Sequence, residues 1–277
     1  MDLTQAILYA QLVNAAYAIP TDDVTNHAGQ PIPAGAGYTV ITSIFANDLA
    51  TDMNPDRGKA RVSIGLILQS ATGDVVIAIR GTEGIQEWIH DAEFLMVPTP
   101  FLAGAGHTDD GFTAMYLSMT TTTDLGSGST PVTKALPTLA FPRPVTSLTI
   151  CGHSLGASLA TLLALDVAAN TPFKNPIVYT YASPRTGGPR FAATYNQVVP
   201  NTTRIAGRLD LVPKLPLPPL YDHVLGLYEL NSIQLGIPPR ILVKPDLVCL
   251  HILTSYLYLL SLLAGGPVLP LQPQCIP

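Results

Sequence analysis

A serine attacks a carbonyl only when its hydroxyl is exposed, a base takes its proton, and nearby donors receive the negative charge. The stretch Val145-Thr-Ser-Leu-Thr-Ile-Cys-Gly-His-Ser-Leu-Gly-Ala-Ser-Leu-Ala offers a candidate in Ser154, within Gly152-His153-Ser154-Leu155-Gly156, a G-x-S-x-G pattern. With Gly and Ser each near ~7% of residues, a chain of 277 residues meets this pentapeptide by chance about one time in ten. Context adds the weight. A strand-like run, SLTIC, leads in, and an Ala/Leu-rich helical run, ASLATLLALDVAA, leads out. That strand–turn–helix is the nucleophile elbow, in which small flanking residues make room for a strained serine. The plainer alternative is a glycine-flanked helix start. An Oγ beside the helix N-terminus is also where developing negative charge is favoured.

Such a serine needs a base, and the base needs a third group to orient it. In this frame the partners follow in the order Ser, acid, His. After Ser154 the histidines are His223 and His251, and the acids preceding one or other are Asp166, Asp210, Asp222, Glu229 and Asp246. Asp166 sits deep in the helix after the elbow and reads as a polar helix residue. Asp222 and Glu229 flank the strand that carries His223, and Asp246 reads as a solvated loop residue. Asp210 fits best, because it follows the strand TTRIA by a short turn and precedes Val212-Pro213, on a loop at the carboxyl edge. The residues alone leave both histidines open.

The elements that must position these groups are legible as alternating runs. Strand-like segments are Arg61–Gln69, Asp74–Arg80, Ser147–Cys151, Ile177–Ala182, Thr202–Ala206 and Val224–Leu230. Helix-like segments are Leu3–Tyr17, Asp110–Met119, Leu155–Asn170, Arg190–Asn196 and Leu250–Leu263. Several strands are continuously apolar, as expected when both faces are covered, so the pattern predicts an α/β fold with a central, mostly parallel sheet flanked by helices. Thr120–Thr133 and Pro213–Pro219 read as surface loops. Neither separates blocks of different composition, so residues 1–277 are expected to form a single domain.

Composition narrows the function classes. Charged residues make up only 12%, net charge is −5, and no Lys/Arg cluster appears, which disfavours nucleic-acid binding. Three cysteines, Cys151, Cys249 and Cys275, show no C-x-x-C spacing, so a structural zinc site is not expected. Cys151 reads as a buried strand residue, and Cys249 and Cys275 are able to pair. The opening MDLTQAILYAQLVNAAYAIP has no basic region and reads as a mature helix rather than a signal peptide. Ile252–Ala264 is apolar but shorter than the ~20 residues of a membrane span, and Gly265-Gly266-Pro267 ends it as a helix cap does.

Taken together, Ile79-Arg80-Gly81-Thr82, the elbow, Tyr181-Ala-Ser-Pro-Arg-Thr-Gly187, Arg208-Leu-Asp-Leu-Val-Pro-Lys-Leu-Pro216, Asp222-His223-Val224 and the late His251 resemble, in order, the motifs of class 3 (fungal-type) lipases. The resemblance runs from roughly Arg61 to His251, and Leu3–Tyr17 is similar to that family's N-terminal helix. It implies an α/β-hydrolase fold and a carboxylic ester hydrolase, most specifically a triacylglycerol lipase. It assigns the acid to Asp210 and the base to His251, with His223 matching a different family histidine. It places an oxyanion donor at Thr82, beside the amide of Leu155 that follows the nucleophile. Ile85, Trp88 and Ile89 fall on one side of the amphipathic run Gly84–Asp91, which the resemblance makes a mobile lid; a fixed surface helix has the same periodicity. Asp91 resembles a residue that supports the oxyanion threonine. The implied partner is a lipid or ester at an oil–water interface, the implied location extracellular, and neither metal nor organic cofactor is needed. Feruloyl or short-chain esterase and phospholipase share this frame, and a catalytically inactive lipid-binding protein is the rival from another class.

Overall fold

The computed structural model describes residues 1–32, 37–48, 60–82, 94–121, 130–231 and 246–276. Asp2 caps the first helix by accepting from the backbone N–H groups of Thr4 (2.9 Å) and Gln5 (3.2 Å). The helix then runs Leu3–Tyr17 (α1), burying Ala6, Tyr9, Leu12, Val13 and Ala16. The chain enters a sheet through β1 (Tyr38–Asn47), β2 (Arg61–Ser70) and β3 (Asp74–Ile79), which are antiparallel neighbours. Two short strands, β4 (Met96–Pro98) and β5 (His107–Asp109), pair separately. Four parallel pairings then extend the main sheet through β6 (Ser147–His153), β7 (Ile177–Tyr181), β8 (Thr202–Gly207) and β9 (Leu227–Leu230), in the order β1-β2-β3-β6-β7-β8-β9.

Parallel neighbours need crossovers, and helices supply them. Between β3 and β6 lie α2 (Asp110–Leu117) and the single turn α3 (Val132–Ala135). The β6–β7 crossover is α4 (Leu155–Asn170), and the β7–β8 crossover is α5 (Pro189–Val198). The period of two in β3 sorts the core into two layers. Val75, Ile77 and Ile79 join α2, α4 and α5 on one face, while Val76 and Ala78 face α1 and the C-terminal helix on the other. Almost all of α4 is buried, which its apolar character on every side requires. One edge of the sheet thus gathers the carboxyl ends of β3, β6, β7 and β8.

Three expectations are corrected. The run Leu250–Leu263 is two helices, α6 (Leu247–His251) and α7 (Leu253–Ala264), because Ile252 leaves helical geometry at ψ 144. Asp246 is no solvated loop residue: it caps α6, accepting from Cys249 N–H at 2.8 Å. Strand pairing in Val224–Leu230 begins only at Leu227, after Gly226 turns the chain with φ 88. Within Thr120–Thr133, Thr120 bridges both Phe45 and Pro131 and α3 begins at Val132, while residues 122–129 lie outside the described segments. α7 ends at Gly265 in the left-handed region. Cys249 and Cys275 form a disulfide with Cα atoms 5.2 Å apart, and Cys151 is free and buried on β6. Among the described residues, no helix is long and apolar enough to cross a membrane.

Candidate active site

β6 ends at His153 and α4 begins at Leu155, so a single residue, Ser154, makes the turn. Its backbone is held at φ 58 and ψ −128, a region that residues with a Cβ seldom adopt. The two elbow glycines are there for space. A Cβ on Gly152 would lie 2.2 Å from the carbonyl oxygen of Gly156, and one on Gly156 would lie 2.4 Å from that of Arg80. Strand and helix can approach this closely only without side chains. Ser154 N–H donates to Tyr181 O at 2.9 Å, tying the turn to β7. A serine at a helix N-cap ordinarily accepts from the first turn, yet Ser154 makes no side-chain cap bond. Its Oγ points elsewhere.

The hydroxyl meets His251 Nε2 at 2.8 Å. His251 closes α6, and its Nδ1 lies 2.9 Å from Asp210 Oδ2 and 3.2 Å from Oδ1. A carboxylate only accepts, so Nδ1 carries the proton and Nε2 presents its lone pair to the Ser154 hydroxyl. Asp210 follows β8 by a short turn, closed by its N–H donating to Gly207 O at 3.1 Å, which puts it at the carboxyl edge. Its Oδ1 also accepts from Val212 N–H (3.0 Å) and its Oδ2 from the Tyr256 hydroxyl (2.7 Å). Tyr256, on α7, receives Gly207 N–H at 2.8 Å in return. Ser154, Asp210 and His251 are each at most 3% exposed. The arrangement can move a proton from the serine hydroxyl to the imidazole with the resulting cation facing a carboxylate.

His223 lies apart from this constellation. Its Nε2 donates to Pro213 O at 2.6 Å, bracing the turn that follows Asp210. Burial, with Arg204 nearby, pushes its pKa down to about 3. Arg185, in the segment after β7, braces the same loop, donating to the carbonyls of Lys214 and Pro216, the latter at 2.8 Å. Asp166 is also structural, since its carboxylate accepts from Tyr116, Thr133 and Asn170. Tyr256 was not anticipated from sequence, because the break at Ile252 re-aims everything after it. His153 packs beneath the elbow, with Nδ1 and Nε2 each 2.8 Å from a partner, the Tyr17 hydroxyl and the His251 carbonyl.

The two expected oxyanion donors, Leu155 and Thr82, both lie beside Ser154 in the chain's fold. Leu155 opens α4, where the first amides have no intrahelical acceptor. Thr82 follows Gly81, whose Cβ position lies 2.9 Å from Ser154 Cβ, so this end of β3 abuts the serine. Ile85, Trp88, Ile89 and Asp91 lie outside the described residues.

The family model for Lipase (class 3) matches residues 76–219, just over half of the chain and including the elbow and Asp210. The secreted mono- and diacylglycerol lipase A of Penicillium cyclopium is 33% identical over 165 residues, covering 57% of this chain and 48% of that protein. Phospholipase A1-II 1 of Oryza sativa subsp. indica is 33% identical over 155 residues, covering 52% of this chain and 39% of that one. The chain thus spans about half, or less, of the length of these relatives. A solved structure of an MDLA mutant form from Penicillium cyclopium superposes with a TM-score of 0.66 at 28% identity, covering 83% of this chain and 80% of its own.

Proposed function

Since the chain belongs to the class 3 lipase family, we propose that it is a serine carboxylic-ester hydrolase and, within that class, a triacylglycerol lipase. The observation that carries this reading is the single imidazole of His251, 2.8 Å from Ser154 Oγ on one side and 2.9 Å from Asp210 on the other. As Oγ attacks an ester carbonyl, its proton passes to Nε2 and Asp210 stabilises the imidazolium. The amides of Leu155 and Thr82 receive the tetrahedral oxyanion. His251 then protonates the departing alcohol, leaving an acyl group on Ser154. Water, deprotonated by the same imidazole, repeats the cycle and releases the acid.

The preference for lipase rests on apolar surface near the acid. Leu209 and Leu211 flank Asp210, Leu217 and Leu220 follow on the same Pro-rich loop, and all four are exposed. To these the lid reading adds Ile85, Trp88 and Ile89, which would shield the acyl pocket in water and meet lipid when open. Phospholipase A1 activity is the second reading, favoured by the rice relative. Secretion fits the Penicillium relative's description.

Rates on p-nitrophenyl esters, emulsified triglyceride and diacyl phospholipid vesicles, with fluorophosphonate labelling of Ser154, test the reading. Labelling with triglyceride turnover is expected, and the rate should step up where the triglyceride exceeds its solubility, with a change in emission from Trp88, the only tryptophan. An unlabelled Ser154 would sink the hydrolase. A smooth saturation curve with unchanged Trp88 emission would make the enzyme an esterase, and preferential vesicle hydrolysis a phospholipase.

A further inference from the structure

The acyl-transfer steps give His153 no part, yet it is 3% exposed and both ring nitrogens are engaged. Nε2 lies 2.8 Å from the carbonyl oxygen of His251, and Nδ1 lies 2.8 Å from the hydroxyl of Tyr17, the last residue of α1. That hydroxyl also receives the backbone N–H of Gly81 at 2.8 Å. Chemistry orders the protons. A carbonyl only accepts, so Nε2 carries the hydrogen; the neutral ring then offers a lone pair at Nδ1, to which Tyr17 donates. Tyr17 keeps an oxygen lone pair for Gly81. Each bond has one workable direction in a neutral ring, and burial together with the neighbouring His251 holds the His153 pKa well below the ordinary histidine range.

The ends of this relay are parts whose spacing matters to the chemistry. His251 terminates α6, where carbonyls lose their intrahelical donors, and His153 supplies one. Gly81 precedes Thr82, and a Cβ on Gly81 would lie 2.7 Å from the Tyr17 hydroxyl, 2.8 Å from His153 O and 2.9 Å from Ser154 Cβ. That peptide is therefore pressed between the tyrosine and the nucleophile. The Arg80 guanidinium covers the Tyr17 ring, 4.9 Å from its centroid, and donates to Ile19 O at 3.1 Å. One phenol thus joins the first helix to the oxyanion arm and, through one imidazole, to the backbone of the base.

We propose that Tyr17 and His153 are positioning residues that set His251 and the Gly81–Thr82 peptide against Ser154, an inference that rests on the acyl-enzyme reading. Neither touches a reacting atom. Without them the base and the oxyanion arm settle independently, and a misplacement of about 1 Å at such a site costs ~10²-fold in rate. The loss falls on kcat rather than KM, because it is realised in the transition state.

Tyr17→Phe removes one oxygen and keeps the ring beneath Arg80. His153→Phe removes both nitrogens, and His153→Gln restores an N–H for His251 and an oxygen for Tyr17. The readouts are the rate of fluorophosphonate capture by Ser154 and kcat and KM on a soluble p-nitrophenyl ester, with circular dichroism confirming folding. Tyr17→Phe and His153→Phe should each lower capture and kcat about 10- to 100-fold with KM within about twofold. The double variant should be no worse than the worse single one, and His153→Gln should recover most of the rate. Should His153→Phe not fold, Tyr17→Phe and His153→Gln decide alone. Wild-type capture with an undiminished rate in folded Tyr17→Phe overturns the positioning role, as do losses that multiply in the double variant. No capture by the wild type rejects the acyl-enzyme reading itself, and the relay with it.

Discussion

Ser154 occupies a backbone conformation that costs of order 1–3 kcal/mol for a residue with a Cβ, and the surrounding close contacts hold it there. Strain of this kind persists where it aims a side chain, and here it aims Oγ at His251. Ser154→Ala should therefore keep the fold while losing roughly 10³-fold or more in ester hydrolysis. His251→Ala should match it, and the double variant should be no worse than either, since nucleophile and base act as a unit. Additive losses in kcat/KM would refute the pairing. His223→Ala should retain measurable turnover, because its ring braces Pro213 and does not reach the serine. Asp210→Asn should lose ~10³–10⁴-fold, as an amide cannot hold the required tautomer or stabilise the imidazolium. Near-normal kinetics in that variant would mean the acid lies elsewhere.

At the scale of elements, the proposed base, His251, depends on a helix of five residues, too short to stand by its own hydrogen bonds. Asp246 caps it, so Asp246→Ala should cost about 1 kcal/mol and lower activity modestly, whereas Asp246→Asn, which preserves an acceptor, should be nearly neutral. Equal behaviour of the two in thermal melts and rate assays would remove the cap from the account. This helix also marks where sequence reading failed. Helix-compatible residues continue past His251, and periodicity does not register the turn of the chain at Ile252. β1 escaped notice for a related reason: shifts between Val40 and Thr42 and between Ile44 and Phe45 break its alternation. The elbow was legible because its requirements are local, two small residues between a strand and a helix. Choosing His251 over His223 was not legible in the residues themselves, since both follow the acid in sequence; the family resemblance made the choice, and in the fold it is His251 that lies against the serine. The Tyr17–His153 contact spans 136 residues and leaves no trace in spacing.

For the whole molecule, two histidines outside the triad, buried His153 and part-buried His223, make acid a denaturant. His153 and His223 are both held below the ordinary value near 6.5, the latter to about 3. Their neutral forms are fully compatible with folding above pH 6.5. Below it the unfolded chain takes up protons that the folded one refuses, so stability falls with pH by up to ~1.4 kcal/mol per unit for each histidine. Urea unfolding from pH 7 down to pH 4 should show that slope, flat above neutrality and shallower in His223→Gln; a stability independent of pH over this range would contradict it. The disulfide has a different consequence. It links residues at a sequence separation of 26, enclosing His251 and α7, worth about 3.5 kcal/mol by loop entropy, so Cys249→Ser with Cys275→Ser should lose roughly that much stability and melt at a lower temperature. Both cysteines are at most 1% exposed, out of reach of a thiol in solution. Dithiothreitol should thus abolish the proposed hydrolysis even though the proposed chemistry uses no thiol, at a rate that stops rising with reductant once it equals the rate at which the segment carrying Cys275 opens.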